Sequence, residues 1–188
     1  MPCQTSSALR PHAALFCLGA WVMGTVCVSV VAAQNFFTID RLLAGPSHDT
    51  FAAFAADAGR ESARNVLRYL SSELNRLYFQ LWNWGQLALG GATLLLVWRL
   101  PGAARLRLLV GAMLVLVALL AFWLTPQITA VGRGIDFIPR DPPPPAVATF
   151  GVLHAAYTSL ELLKCAAAVG AAAWLVRLSR AGESQRSV

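Results

Sequence analysis

Polar and charged positions divide this chain into four long apolar stretches: Ala13 to Ala33, Leu77 to Trp98, Leu108 to Ile128, and Phe150 to Val176. Each is bounded by arginine, proline or a polar cluster. A helix needs about 20 consecutive apolar residues to cross the hydrocarbon of a bilayer. The pattern therefore predicts an all-α, polytopic membrane protein, a four-helix transmembrane bundle formed as a single membrane domain over residues 1–188.

Between the first two stretches, Gly45-Pro46-Ser47 breaks the pattern. A helix is expected to begin near Asp49 or Thr50, and a second after Gly59, giving an outer helical segment over about residues 49–76. In the second of these helices Val66, Leu70, Leu74, Leu77 and Leu81 recur at helical spacing. Arg64, Arg68, Ser71, Asn75 and Arg76 take the other side, so the two faces are those of an amphipathic helix. It runs into the second apolar stretch. At 1.5 Å per residue, Arg60 to Trp98 would measure roughly 58 Å, so it must project past the headgroups or kink near Trp82 to Gly85. The segment is expected to be a solvated hairpin capping the bundle, with a docking surface as the alternative. Farther on, Pro139 and the run Pro142 to Pro145 predict a stiff, extended connector between the third and fourth helices.

Composition excludes a water-soluble domain: 57% of residues are hydrophobic and 13% charged, with a mean hydropathy of +0.58. The net charge of +6 is carried by arginine placement and needs no nucleic-acid partner. Arg10, Arg99, Arg105, Arg107, Arg177, Arg180 and Arg186 fall on one side against the single acid Glu183, whereas arginines and acids balance on the other. The dense cluster from Arg99 to Arg107 then places both termini in the cytoplasm of a bacterial inner membrane. Trp98 and Trp174 are expected at the inner boundary, and Trp82, Trp84 and Trp123 at the outer one. The first stretch also ends like a secretory signal, at Val31-Ala32-Ala33. Its apolar core of about 19 to 21 residues exceeds the usual 7 to 15 or so, which favours an uncleaved anchor. Gly19, Ala20 and Gly24 there, with Gly85, Gly90 and Gly91 in the second stretch, suit close helix packing. Cys17, Cys27 and Cys165 lie within the stretches and Cys3 in the tail, so no disulfide framework is expected.

The fourth stretch carries the chemistry. Glu161 and Lys164 sit near its middle, three residues apart, and an ionisable group at that depth is a functional hypothesis by default. Two central charges cost about 5 to 7 kcal/mol to insert, and the nine Leu, Val and Phe residues of this stretch offset only about 3 to 5. The helix should need the ion pair, snorkelling by Lys164, or polar neighbours. His154, Thr158, Glu161 and Cys165 fall at steps of four, three and four, predicting one polar stripe. Gln34, Asn35, Asn83, Gln86, Thr125 and Gln127 could join His154 in lining a polar cavity that descends to Glu161. The candidate site is therefore His154, Glu161, Lys164, Asn83, Gln86 and Gln127. An internal hydrogen-bond cluster fixing helix order, an ion or solute site, and a buried partner interface all fit these residues.

Enzyme readings find no support in the sequence. His12 and His48 fall away from mid-membrane, so no bis-histidine haem site forms around His154. No zinc-protease helix, phosphate loop or nucleophile elbow is present, and Ser159 points away from Lys164 on a helix. No cofactor or metal is expected.

Leu124-Thr125-Pro126-Gln127-Ile128, closing the third helix, and Phe150-Gly151-Val152-Leu153-His154, opening the fourth, resemble motifs of the transmembrane protein 205-like family. Ile39-Asp40-Arg41 and Glu73 to Phe79 resemble an extended bacterial subgroup. The resemblance implies a small four-span membrane protein. Tyr157 and Glu161 stand near positions where that family has Ser and Asn, so the role of its Asn does not transfer. A noncatalytic structural or accessory component of a membrane complex is expected, with lipid and a membrane protein or a second copy as partners. The alternative is a proton-linked or small-solute transporter or channel using the polar site.

Overall fold

The computed structural model describes residues 5–138 and 142–184. Cys3, Pro139 and Arg186 lie outside them, as does the side chain of Glu183. All regular structure among the described residues is helical: α1 (Thr5–Ala44), α2 (Asp49–Asp57), α3 (Arg60–Trp98), α4 (Ala104–Leu119), a π-turn (Leu120–Leu124), α5 (Thr125–Gly134) and α6 (Pro145–Ser184). Three segments are long and apolar enough to cross a membrane: Leu9–Ala44, Ala104–Gly134 and Pro145–Arg180. In α3, Gln80, Asn83 and Gln86 dilute the apolar half.

The long helices form a ring in which α1 packs on α3, α3 on α4, α4 on α6, and α6 on α1. Cross-helix pairs fix the directions. Trp21 meets Gln86 while Asn35 meets Asn75, so α1 and α3 are antiparallel. Asn83 meets Tyr157 while Gln86 meets Glu161, so α6 is parallel to α3. The start of α1, the end of α6 and the α3–α4 turn therefore share one end, and α2 marks the distal end.

Buried positions repeat with a strict three–four spacing. They are Asn83, Gln86, Gly90, Thr93 and Val97 on α3, and Leu106, Val110, Met113 and Val117 on α4, continuing to Leu120 and Leu124. On α6 the series is Tyr157, Glu161, Lys164, Ala168, Ala171 and Leu175. A repeat averaging 3.5 residues keeps one seam facing the axis and gives the shallow crossings of a left-handed bundle. The outer faces carry large apolar groups instead, among them Phe16, Met23, Leu95, Leu108, Val115 and Leu162. Polarity is thus distributed in the sense opposite to a water-soluble bundle.

Pro126 explains the π-turn. Its ring displaces the carbonyl four residues back and it has no N–H to donate. One extra residue accommodates this, and the N–H of Thr125 bonds to the carbonyl of Leu120, five residues earlier. The third apolar stretch consequently passes from α4 into α5 without ending. The fourth helix starts five residues before the expected Phe150, because Pro145 occupies its first position, where a missing N–H costs nothing. Only Pro142 to Pro144 remain outside it.

The segment before α3 matches its expected boundaries. His48 caps α2, its Nδ1 accepting from the Thr50 N–H at 3.2 Å. Gly59 supplies the left-handed turn, φ 80°, between α2 and α3. The helix α3 is unbroken at Trp82 to Gly85. Its first half pairs along its length with α1, which continues beyond Ala33 to Ala44. Asn75 donates to the Ala32 carbonyl at 3.0 Å and accepts from Asn35 at 2.7 Å, while Arg64 pairs with Asp40 at 2.9 Å. The amphipathic helix turns its apolar face outward. Val66, Leu70, Leu77 and Leu81 are exposed, while Ser71 and Asn75 pack toward α1, because the partner helix offers amide and carbonyl groups there. Trp82 also turns inward: its indole lies where a Cβ on Gly24 would fall. Trp84 and Trp123 remain exposed.

Candidate functional site

Midway along the bundle, three helices contribute to one buried polar network. Lys164 is 1% exposed and Glu161 7%. Their three-residue spacing on α6 brings Lys164 Nζ within 2.5 Å of Glu161 Oε2. Nζ also donates to Gln86 Oε1 and, at 3.4 Å, to Thr25 Oγ1, so all three ammonium N–H bonds have acceptors. The Gln86 amide returns a bond from Nε2 to Glu161 Oε1 at 3.3 Å, and its Oε1 accepts the Trp21 indole N–H at 2.9 Å. The ammonium lies 5.8 Å from the centre of the Trp21 ring, within reach of the π-face. One side chain from α3 therefore bridges both charges on α6 to α1.

Toward the distal end lies a second, neutral cluster. Tyr157 donates from its hydroxyl to Asn83 Oδ1 at 3.4 Å, and Asn83 Nδ2 donates to Thr125 Oγ1 at 3.0 Å. Thr125 holds this position because the π-turn precedes it. Toward the termini the core is apolar: Leu18, Val97, Val110, Met113, Ala168 and Leu175 pack together with no polar path among them.

Above Tyr157 a pocket of about 270 Å³ opens between α3, the α5 end with the turn after it, and the first turns of α6. Phe79 meets Tyr157 edge-on at its floor, with ring centres 5.4 Å apart. Phe150 stacks on His154 at its side. Arg76 crosses from α3 to Asp136 at 2.8 Å and to Glu73 at 2.5 Å, tying the α5 end down. Gly132 suits this close approach, since a Cβ there would stand 3.3 Å from the Arg76 guanidinium and 3.2 Å from the Phe150 ring.

The expected site is thus brought together in part. Glu161, Lys164 and Gln86 are buried and joined, and Asn83 is buried in the neighbouring cluster with Tyr157 and Thr125. His154 is exposed and lines the pocket, two turns away from Glu161 along the helix. Gln127 is exposed on α5, and Gln34 lies on the surface beside Arg41. The stripe of His154, Thr158, Glu161 and Cys165 does not form one face toward the core, because the bundle buries the 3.5-residue series through Tyr157, Glu161 and Lys164. Trp21 and Thr25 complete the network and Tyr157 completes the second cluster, and none of the three is among the site residues expected from the sequence. A tryptophan placed mid-stretch, away from the interfaces where it is usual, with a threonine four residues on, was the available signal. Among the described residues no cluster of histidine, cysteine and acidic groups could hold a metal ion. Comparison with protein-family models, with curated proteins and with solved structures finds no match.

Proposed function

We propose that the chain is a four-span bacterial inner-membrane protein with both termini cytoplasmic, acting as a noncatalytic structural or accessory component of a membrane complex. The resemblance to transmembrane protein 205-like proteins belongs to this proposal. Large apolar groups on the outside of α1, α4 and α6 support lipid as the surrounding medium. Each would forgo about 1.5–3 kcal/mol of burial if left in water. The second apolar stretch becomes the fourth span because Gln80 is its one outward amide, while Asn83 and Gln86 are turned inward and bonded.

The accessory reading rests on one observation. Lys164, Glu161 and Gln86 satisfy one another together with Trp21 and Thr25, which leaves no ammonium proton free for a substrate and locks three helices in a single register. A proton-linked transporter is the second reading, favoured by the bonding of Tyr157 at the pocket floor to Asn83 in the core. The apolar layer between Lys164 and the termini opposes a continuous path.

Recovery from native membranes distinguishes the two. The doubly substituted chain, Glu161→Gln with Lys164→Met, should be recovered with the same partner proteins as the native chain. Proteoliposomes of the native chain should show no proton or solute flux above protein-free vesicles. A flux that the native chain supports and the double variant loses would overturn the accessory reading.

A further inference from the structure

Helix α3 carries a second seam with the period of the buried one, on its outward side. Leu67, Leu70, Leu74, Leu77 and Leu81 follow one another at alternating steps of three and four. The same steps continue through Trp84, Ala88 and Gly91 to Leu95. A repeat of 3.5 residues is what keeps one face of a helix against a partner helix as the two supercoil. At 1.5 Å per residue this seam is about 42 Å long. The inward seam from Asn83 to Val97 is occupied by the bundle itself. The outward one is not: Leu70, Leu77, Leu81 and Leu95 remain 48–74% exposed, and no seam position from Leu67 to Leu95 is charged.

The two media along the seam decide what can cover it. With the membrane placement proposed above, on which this inference rests, the roughly 58 Å of α3 exceeds the hydrocarbon thickness of about 30 Å. Six charged residues between Arg60 and Arg76 keep its first half in water, where Leu70 and Leu77 need a cover. The second half faces lipid, where apolar groups need none. The residues change at the same level. Leucines give way to Ala88 and Gly91, and small side chains let helices approach closely where lipid supplies no hydrophobic drive. Trp84, at the boundary, leans on Phe122 of the neighbouring π-turn, with ring centres 5.8 Å apart. Gly91 has nothing within 4 Å of where a Cβ would fall, so a side chain there spares the bundle of a single, diluted chain and burdens only a contact between chains.

The occupant must therefore be one straight helix that passes from water into lipid with a matching apolar stripe at matching depths. A soluble protein reaches only the leucine half, and acyl chains reach only the other. A second copy of α3 meets the requirement without further design. All copies enter the membrane in one orientation, so a twofold axis along the membrane normal sets each seam position against itself. We propose that the outward seam of α3 is the contact between two copies of this chain, packed in parallel as a two-stranded coil that begins in water and continues into the bilayer. The partner left open in the accessory reading is then, at this face, the chain itself.

The test uses the full chain in native membranes, with its cysteines replaced by alanine. Retention through alkaline extraction is scored first, and release into the wash would overturn the membrane placement and this proposal together. Leu77→Cys should then give a disulfide-linked dimer under mild oxidation. Val152→Cys should give at least about tenfold less. It is 70% exposed and near the same depth, since Tyr157 meets Asn83, but it lies on α6, which packs on α1 and α4 across the ring from α3. Leu70 is one heptad above Leu77 on the seam. Leu70→Lys and Leu70→Glu each set like charges across the axis and should each lower the Leu77→Cys dimer at least about tenfold. Coexpression of the two, on differently tagged chains, should restore it as a mixed dimer, which also shows that both variants fold. A membrane-retained chain without the Leu77→Cys dimer, equal cross-linking at Val152→Cys, a product joined to a different protein, or a mixed pair no better than either charged variant alone overturns the proposal.

Discussion

Lys164→Met alone is expected to destabilise the bundle by about 3–5 kcal/mol, because it leaves a buried carboxylate with only the Gln86 amide as a partner. Glu161→Gln alone should cost a similar amount, since the ammonium then keeps its charge with only neutral acceptors. The double substitution removes both charges at once. It should return to within about 1–2 kcal/mol of the native chain, because a buried pair contributes little net stability over neutral side chains of similar volume. Reversible unfolding in bicelles, arranged as a double-mutant cycle, measures the difference directly. Additive losses would mean that the two groups do not stabilise one another.

Gly90→Val should be strongly destabilising although it lies outside the network. A Cβ at Gly90 would lie 2.5 Å from Leu114 Cδ1 and 2.7 Å from the Trp21 ring. The ring cannot retreat, because its N–H is bonded to Gln86 and its face covers Lys164. Overpacking of this kind costs about 1–3 kcal/mol, and displacement of Trp21 adds the loss of its hydrogen bond. Gly91 is the matched control. Nothing stands within 4 Å of a Cβ there, so Gly91→Val should leave the unfolding midpoint nearly unchanged. Equal effects at the two positions would contradict the ring order in which α3 meets both α1 and α4.

This pair of glycines also marks what a sequence can disclose. Small residues at Gly24, Gly90 and Gly91 all suggest close packing, yet only the azimuth of each position decides which one meets a neighbour. That azimuth follows from a 3.5-residue seam, which becomes visible only when Asn83, Gln86, Gly90, Thr93 and Val97 are recognised as one series despite their mixed polarity. Long apolar runs, Gly59 and the Asp49 start were legible because each is a local signal. The turning inward of Asn83 and Gln86 was partly legible, since an amide in lipid needs a partner. Trp21 was not, because its role depends on an indole N–H reaching a glutamine 65 residues away. The direction of the amphipathic face near Val66 was not legible for a related reason: periodicity shows that two faces differ, and the medium decides which one is buried.

The central claim is that lipid surrounds four spans, with α3 crossing as well as the three more apolar helices. Single cysteines at Ala58, in the α2–α3 turn, and at Arg105, at the start of α4, test it in a chain whose native cysteines are replaced by alanine. A membrane-impermeant maleimide added to intact cells with a permeabilised outer membrane should label Ala58→Cys, and should reach Arg105→Cys only after the inner membrane is opened. Labelling of both positions from the same side would show that α3 does not cross, and would contradict the account.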